Sequence, residues 1–293
     1  MEDLLRPIYQ ERASHANTLG IILLEKHKPE NPATDNFDVM LFIIVKEDQP
    51  TNSFKHYELE SGKIAGLKIV HVDQVNEWIQ LGTNRRVLDW VMNGKILFER
   101  NEYLSQLKQS LFDFPLKDRK KRIGLEFAKL IKRFRDGKEL FEAGHLLDAY
   151  NYMVHALHHL ARLSVIDHGF HPEITVWHQV KKIEPEIYKL YQELVESEET
   201  LAKKLELLFL ASEFLVNTNT KIGSLHLIEV MEEKEAWSIQ ELMVHREIRD
   251  YSVDLEALVE FLIERKVIAV ITEKTKGQGI LHRNYSSHKL STK

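Results

Sequence analysis

An amide and a carboxylate lie two residues apart, immediately before an apolar run. They belong to Asn36 and Asp38, and the apolar run is residues 39–45. Because alternate residues of a β-strand point to the same face, this spacing directs both side chains to one side of a sheet. Both oxygen types can coordinate Mg²⁺, although an amide brings no charge. Several carboxylates in such a place can hold the paired ions that stabilise the attacking and leaving oxygens of a displacement. The spacing therefore favours a divalent-cation site here.

The composition limits the kind of protein that can carry such a site. A chain of 293 residues, 43% hydrophobic and 29% charged, is expected to fold into two or three domains. It has no cysteine, which excludes disulfides and thiolate chemistry. A net charge of −5 excludes a generally polycationic nucleic-acid binder. With no apolar run near the ~20 residues of a membrane span and no signal-peptide pattern, the sequence predicts a cytoplasmic protein without membrane contact.

The N-terminal part alternates between the periods of helices and strands. Helical spacing is predicted for residues 2–16, 73–92 and 102–111, and apolar or β-branched runs predict strands at 19–24, 39–45, 54–59, 67–72 and 95–98. Pro115 ends this α/β pattern. The potential site thus lies at the start of the second strand of a mixed sheet.

The stretch from Thr34 to Leu41 resembles the aspartate pair of the nucleotidyltransferase superfamily, in which carboxylates and apolar residues alternate at the start of a strand. Asn36 and Asp38 occupy the two carboxylate positions. The order of elements is similar to that of the kanamycin-nucleotidyltransferase branch, and residues 94–100 resemble its following edge segment. The resemblance covers residues 1–115 and implies Mg²⁺-dependent transfer of a nucleoside monophosphate from a triphosphate to a hydroxyl.

Three positions depart from this family pattern. Asn36 replaces the first carboxylate, and the Gly-Ser step that binds phosphates is absent, since residues 24–27 read Leu-Glu-Lys-His. The third carboxylate position is occupied by His71, which Asp73 can compensate. The resemblance thus gives Asp38, Asn36 and His71 as catalytic candidates, and Asp38, Asp35 and Asp73 as metal ligands. Simpler interpretations are turn residues for Asp35 and Asn36, and a hydrogen-bonded core histidine for His71.

The middle part, residues 118–222, is predicted to be a helical bundle that binds the substrate. Its periodicity predicts two further long helices at residues 140–166 and 199–216. Nine basic residues lie between 119 and 138, opposite an apolar stripe that runs from Ile123 to Phe134. This basic face is either solvated or contacts phosphates, so Arg119 and Arg122 are candidates for nucleotide binding, together with Lys26 of the N-terminal part. On the next helix, His155 and His159 have the i, i+4 spacing of a metal-chelating pair, with interfacial or surface histidines as the alternative.

Residues 223–293 read as a winged-helix module of three helices and a hairpin. Ser238 and Glu241 fit a capping box, and Asp254 can cap the third helix. That helix carries Glu256, Glu260 and Glu264, which would repel DNA, whereas the hairpin is basic. Protein contact, or weak and nonspecific nucleic-acid contact, is therefore favoured over reading of a base sequence.

Taken together, these patterns predict an α+β protein with a nucleotidyltransferase-like domain at 1–117, a helical bundle at 118–222 and a winged-helix-like domain at 223–293. Two functions remain open. The first is nucleotidyl transfer from a nucleoside triphosphate with Mg²⁺, weak or lost because of the three departures. The second is a non-catalytic protein that senses nucleotides or regulates a protein or nucleic-acid partner.

Overall fold

The computed structural model describes residues 2–26, 34, 36–46 and 53–287. It divides into two compact units, Met1–Pro115 and Leu116–Lys293. The elements of the first unit are α1 (Glu2–Ser14), β1 (Thr18–Glu25), β2 (Val39–Val45), β3 (Phe54–Glu58), β4 (Ile64–His71), α2 (Val72–Leu81), α3 (Arg85–Asn93), β5 (Lys95–Glu99) and α4 (Tyr103–Asp113). The mixed α/β pattern predicted from the sequence is thereby confirmed.

One five-stranded sheet, in the order β3-β4-β2-β1-β5, forms the centre of the first unit. Strands β2 and β4 are parallel, and the remaining neighbours are antiparallel. Both faces of β2 are covered, which explains its continuous apolar run. Phe42 and Ile44 pack with Trp90 of α3 on one face. Ile43 packs with Leu5 of α1 on the other.

The single helical stretch predicted for residues 73–92 is broken into α2 and α3. Gly82 ends α2 with a φ of 66°, a left-handed conformation that glycine adopts without steric cost. Asn84 then begins α3, its side chain accepting a hydrogen bond from the N–H of Val87. The break lets both helices pack on the same face of the sheet.

The second unit is mainly helical. Its elements are α5 (Leu116–Glu142), α6 (Leu146–Asp167), α7 (Val176–Ile183), α8 (Pro185–Glu196), α9 (Leu201–Met231), α10 (Ile239–Val244), a 3₁₀ helix (Arg249–Asp254), α11 (Leu255–Glu264), β6 (Ile268–Lys274) and β7 (Leu281–Ser287). Helix α5 lies at the centre and packs against α6, α9, the 3₁₀ helix and α11. Strands β6 and β7 form the predicted hairpin.

Two helix boundaries in this unit differ from the sequence prediction. A helix was expected to begin at Leu140, but α5 continues to Glu142 and the chain turns at Gly144, whose φ is 83°. The helix expected to end at Val216 continues to Met231. Helix α9 therefore belongs to both the helical bundle and the C-terminal module.

The capping box of Ser238 and Glu241 is confirmed. The predicted cap of α11 is wrong, because the side chain of Asp254 makes no capping hydrogen bond there. The overall class is as predicted: a mixed sheet with helices, a helical middle and a C-terminal helix-turn-helix module with a β-hairpin.

Candidate functional site

Asp38 lies just before β2, beside the start of β4. Its backbone N–H donates to the carbonyl of Ile64 at 2.9 Å, and its Oδ2 accepts from the N–H of Ile64 at 2.9 Å. The carboxylate thereby satisfies a backbone donor where the parallel pairing of β2 and β4 begins. This contact gives Asp38 a structural role in the sheet and engages one of its two carboxylate oxygens.

Lys26 is a neighbour of Asp38. The N–H of Lys26 donates to the carbonyl of Asp38 at 2.9 Å, which continues the antiparallel register of β1 and β2. Asn36 is an exposed turn residue two positions earlier, and Asp35 lies outside the described residues. Of the predicted site residues, the structure therefore brings Lys26, Asn36 and Asp38 to the same end of the sheet.

His71 and Asp73 lie at the opposite end of the same strand pair. In the parallel register Val39 is beside Ala65, whereas Val45 is beside His71. Six residue steps along a strand span about 20 Å, so neither His71 nor Asp73 reaches Asp38. The structure thus does not assemble the predicted catalytic set of Asp38, Asn36 and His71.

The contacts of His71 are those of a helix cap. Its Nδ1 accepts from the N–H of Asp73 at 3.2 Å, and its Nε2 lies 2.9 Å from the carbonyl oxygen of Lys46. Both ring nitrogens are engaged at the start of α2. These contacts agree with the simpler interpretation of His71, that of a hydrogen-bonded histidine with a structural role.

The groups around Asp38 do not fit a pair of Mg²⁺ ions. Paired ions require two or three carboxylates close together, and the residue at the first carboxylate position, Asn36, is an uncharged amide. Throughout the described part of the chain, no group of three or more His, Asp or Glu side chains is placed to hold a metal.

Arg119 and Arg122 of α5 make contacts inside the second unit. Arg119 donates to the carbonyl of Asp167 at 2.9 Å, and Nη1 of Arg122 lies 2.6 Å from Nδ1 of His171. Burial lowers the pKa of Arg122 to about 10, against the opposing effect of the Glu126 charge. Both guanidinium groups thus connect α5 to α6 and the chain that follows it. Their predicted nucleotide contact stays a prediction.

The expected exposed basic face of α5 is wrong, because α5 is surrounded by other helices. Five of its cations form ion pairs with acids. The pairs are Lys120–Glu229, Lys121–Asp250, Lys132–Asp136, Arg135–Glu264 and Lys138–Glu213. Three of these acids belong to α9 or α11 and one to the 3₁₀ helix. The basic residues therefore contribute mainly to packing within this unit.

A polar pocket of about 270 Å³ lies between α5 and α6. Its lining residues are Arg133 of α5 and Asn151, Tyr152, His155 and His159 of α6. The guanidinium of Arg133 lies 5.8 Å from the centre of the Tyr152 ring, a cation–π contact that helps to fix its position. All five lining side chains carry groups that can form hydrogen bonds.

Glu126 and His159 form a dyad at this pocket. Nδ1 of His159 lies 2.7 Å from Oε2 of Glu126, and each side chain is only 13% exposed. Burial alone would raise the pKa of Glu126, but the His159 hydrogen bond and the charges of Lys129 and Arg162 hold the pKa below its ordinary value. Glu126 is therefore a carboxylate that remains charged and fixes the orientation of His159.

The i, i+4 spacing of His155 and His159 predicts a pair on one face of α6, but it does not predict the acid that orients one of them. A signal was present: Arg122, Glu126, Lys129 and Arg133 follow one helical face at spacings of four, three and four. A charged stripe of both signs inside a helix with an extensive apolar face indicates a polar interface. The residues that complete this interface belong to α6, and the spacing along α5 does not indicate them.

In the C-terminal module, one face of α11 packs inward. Phe261 meets Phe127 of α5 with ring centres 5.9 Å apart. Two acids of α11 pair with cations of neighbouring elements, Glu264 with Arg135 of α5 at 3.0 Å and Glu260 with Arg283 of β7 at 3.1 Å. The helix that would enter a DNA groove thus presents acids, and one basic residue of the hairpin is already paired.

Along the described residues, no helix is long and apolar enough to cross a membrane.

Three family models match successive parts of the chain. Residues 1–119 match a nucleotidyltransferase-like model, residues 120–219 a YgxA-like substrate binding domain, and residues 225–287 a helix-turn-helix domain. The resemblance inferred from residues 34–41 is thereby confirmed, as is the C-terminal helix-turn-helix.

Two relatives match the chain almost end to end. YgxA of Bacillus subtilis strain 168, an uncharacterized protein, is 53% identical over 289 residues, which are 99% of this chain and 98% of the relative. The crystal structure of a nucleotidyltransferase-like protein from Exiguobacterium sibiricum 255-15 aligns with a TM-score of 0.82 at 41% identity, covering 98% of this chain and 99% of that one. Since a relative with more than half of its residues identical matches nearly the full length of both chains, this protein belongs to the YgxA-like family of nucleotidyltransferase-like proteins.

Proposed function

We propose that this chain is a non-catalytic regulatory binding protein that retains the nucleotidyltransferase-like fold. The observation that carries the proposal is the position of Asp38. Its carboxylate bonds to the N–H of Ile64, and the histidine at the family's third acid position lies at the far end of the strand pair, where it caps α2. The residues that remain from the catalytic pattern thus contribute to the fold.

Nucleotidyl transfer is the second candidate. Lys26 beside Asp38 favours it, since a cation next to a carboxylate at one end of a sheet is suited to a metal–triphosphate complex. One carboxylate with a neutral amide is a weak Mg²⁺ site, however, and Asp73 is too far along β4 to strengthen it. We therefore propose that any transfer activity is weak or lost.

The second unit supports a binding role. The polar pocket is formed by α5 and α6, and α5 also packs against α11 of the helix-turn-helix module. A ligand that shifts α5 would change the packing of both regions, since packed helices move as rigid elements. We propose that the chain binds a small molecule at this pocket and communicates with a protein or nucleic-acid partner through the C-terminal module.

A thermal unfolding experiment tests the loss of the transferase site. Because Asp38 alone should hold Mg²⁺ weakly, a nucleoside triphosphate with Mg²⁺ is expected to raise the unfolding midpoint by no more than the triphosphate does without Mg²⁺. Asp38→Ala should leave that ligand-induced shift unchanged, even though loss of the bond to Ile64 lowers the midpoint of the unliganded protein. Differential scanning fluorimetry with each common nucleoside triphosphate measures the shift.

Asp73→Ala is the matched control, since Asp73 is an exposed acid in the same unit but at the other end of β4. A shift that requires both Mg²⁺ and triphosphate, and that disappears in Asp38→Ala but not in Asp73→Ala, would restore nucleotidyl transfer as the function.

A further inference from the structure

The cation of α5 that lines the pocket between α5 and α6 differs from other cations of α5 in its ionic partners. Whereas five other cations of α5 pair with carboxylates, Arg133 has no acid within ion-pair distance among the described residues. The same holds, within that part of the chain, for Lys129, one turn earlier on the same face. The cation that lines the pocket is therefore left available for a ligand.

Charge around the pocket is positive overall. Arg133 is the one charged side chain among the described residues that line it, so the lining carries a charge of +1 with neutral histidines. A phosphate monoester carries about −1.5 to −2 near neutral pH. An anion of this kind complements the positive lining, and arginine binds phosphate through two parallel hydrogen bonds.

The Glu126–His159 dyad prepares a hydrogen-bonding group for the same ligand. Nδ1 of His159 is hydrogen-bonded to Glu126, so Nε2 is the ring nitrogen that remains for a ligand. His159 is one of the residues that line the pocket. The amide of Asn151 adds a donor and an acceptor nearby. These groups suit the hydroxyl and phosphate oxygens of a small polar molecule.

The size of the pocket limits the ligand. At about 270 Å³ it lies below the range of roughly 300–1,000 Å³ typical of sites for drug-sized molecules. Metal chelation by His155 and His159 is disfavoured because the described residues offer no third ligand.

We propose that this pocket binds a small phosphate monoester, with Arg133 holding the phosphate and the oriented His159 and Asn151 bonding to the rest of the molecule. The inference rests on the proposed regulatory function and gives its ligand a chemical class. It does not involve the end of the sheet at Asp38.

The test is calorimetric titration of the full chain with inorganic phosphate and with glycerol 3-phosphate, in parallel with sulfate and acetate. Saturable binding of both phosphates is expected, tighter than that of either control anion. Arg133→Gln should weaken phosphate binding at least fivefold. Arg135→Gln, the same substitution two residues away on the face that pairs with Glu264, should change it less than twofold.

Asn151→Asp provides a second variant at an exposed pocket residue, since it adds a negative charge without changing the side chain's size. It should also weaken phosphate binding. Absence of saturable phosphate binding, equal loss in the Arg133 and Arg135 variants, or preference for acetate would overturn the inference. Asp38→Ala should bind phosphate like the wild type, so failure here is distinguishable from failure of the Asp38 argument.

Discussion

Replacement of Glu126 with alanine is expected to lower the free energy of unfolding by about 3 kcal/mol, the lower end of the range for removing one member of a buried ion pair. Glu126 is the carboxylate that faces His159 and Arg162 of α6 and Lys129 of its own helix. Its removal leaves these groups in a poorly solvated interface without a counter-charge. Urea denaturation followed by circular dichroism measures the change.

The matched control is Glu139→Ala, at an exposed acid on the same helix. A change within about 0.5 kcal/mol is expected there. An unsatisfied buried polar group costs roughly 1–3 kcal/mol. If the losses in the free energy of unfolding of the two variants differ by less than about 1 kcal/mol, the dyad does not stabilise the protein.

The contribution of Glu126 also has a defined pH dependence. Its pKa is lowered in the folded protein, so the stabilisation is complete above the pKa of an unfolded glutamate, about 4.3. It is lost as the pH falls through the lower folded-state pKa. The difference in stability between the wild type and Glu126→Gln should therefore shrink below about pH 4.3.

The full chain is expected to bind duplex DNA weakly and without sequence preference. Glu256, Glu260 and Glu264 form one row on α11, where a major groove requires donors and positive charge. The hairpin leaves Lys274 and Lys276 for phosphate contact. Since each neutralised phosphate adds about 0.9 to the log–log salt slope, two contacts predict a loss of roughly tenfold in affinity for a fourfold rise in salt.

Fluorescence anisotropy with random duplexes at two salt concentrations measures this slope. The Lys274→Gln/Lys276→Gln protein should lose the salt-dependent binding, and Lys182→Gln/Lys189→Gln, which removes two exposed lysines from α7 and α8, should retain it. The full chain is required because α9 continues into the module. A sequence selected from a random pool and bound preferentially near physiological salt would show that the module reads DNA.

The sheet was predictable because its signals are local. The continuous apolar run from Val39 to Val45 requires burial on both faces, and the structure provides it. Asn36 and Asp38 lie just before β2, Asn36 in a turn rather than in the strand that their spacing predicts. The spacing does not indicate in which direction the neighbouring strand β4 runs. Since β3 intervenes and β4 runs parallel to β2, His71 falls at the far end from Asp38.

The pocket could not be predicted because it depends on contacts between distant residues. Glu126 and His159 are 33 positions apart, and their hydrogen bond forms only when α5 and α6 pack. Composition indicated a basic segment but not which cations would pair. That outcome depends on acids from α9, α11 and the 3₁₀ helix, which packing brings to α5.

The most direct measurement of the central proposal is a crystal structure of the full chain grown with Mg²⁺ and a non-hydrolysable nucleoside triphosphate. The proposal predicts no ordered metal bound to Asp38, whose Oδ2 should still accept the hydrogen bond from Ile64 seen at 2.9 Å. An octahedral Mg²⁺ about 2.1 Å from a carboxylate oxygen of Asp38, with the triphosphate as a further ligand, would contradict it and identify a working nucleotide site.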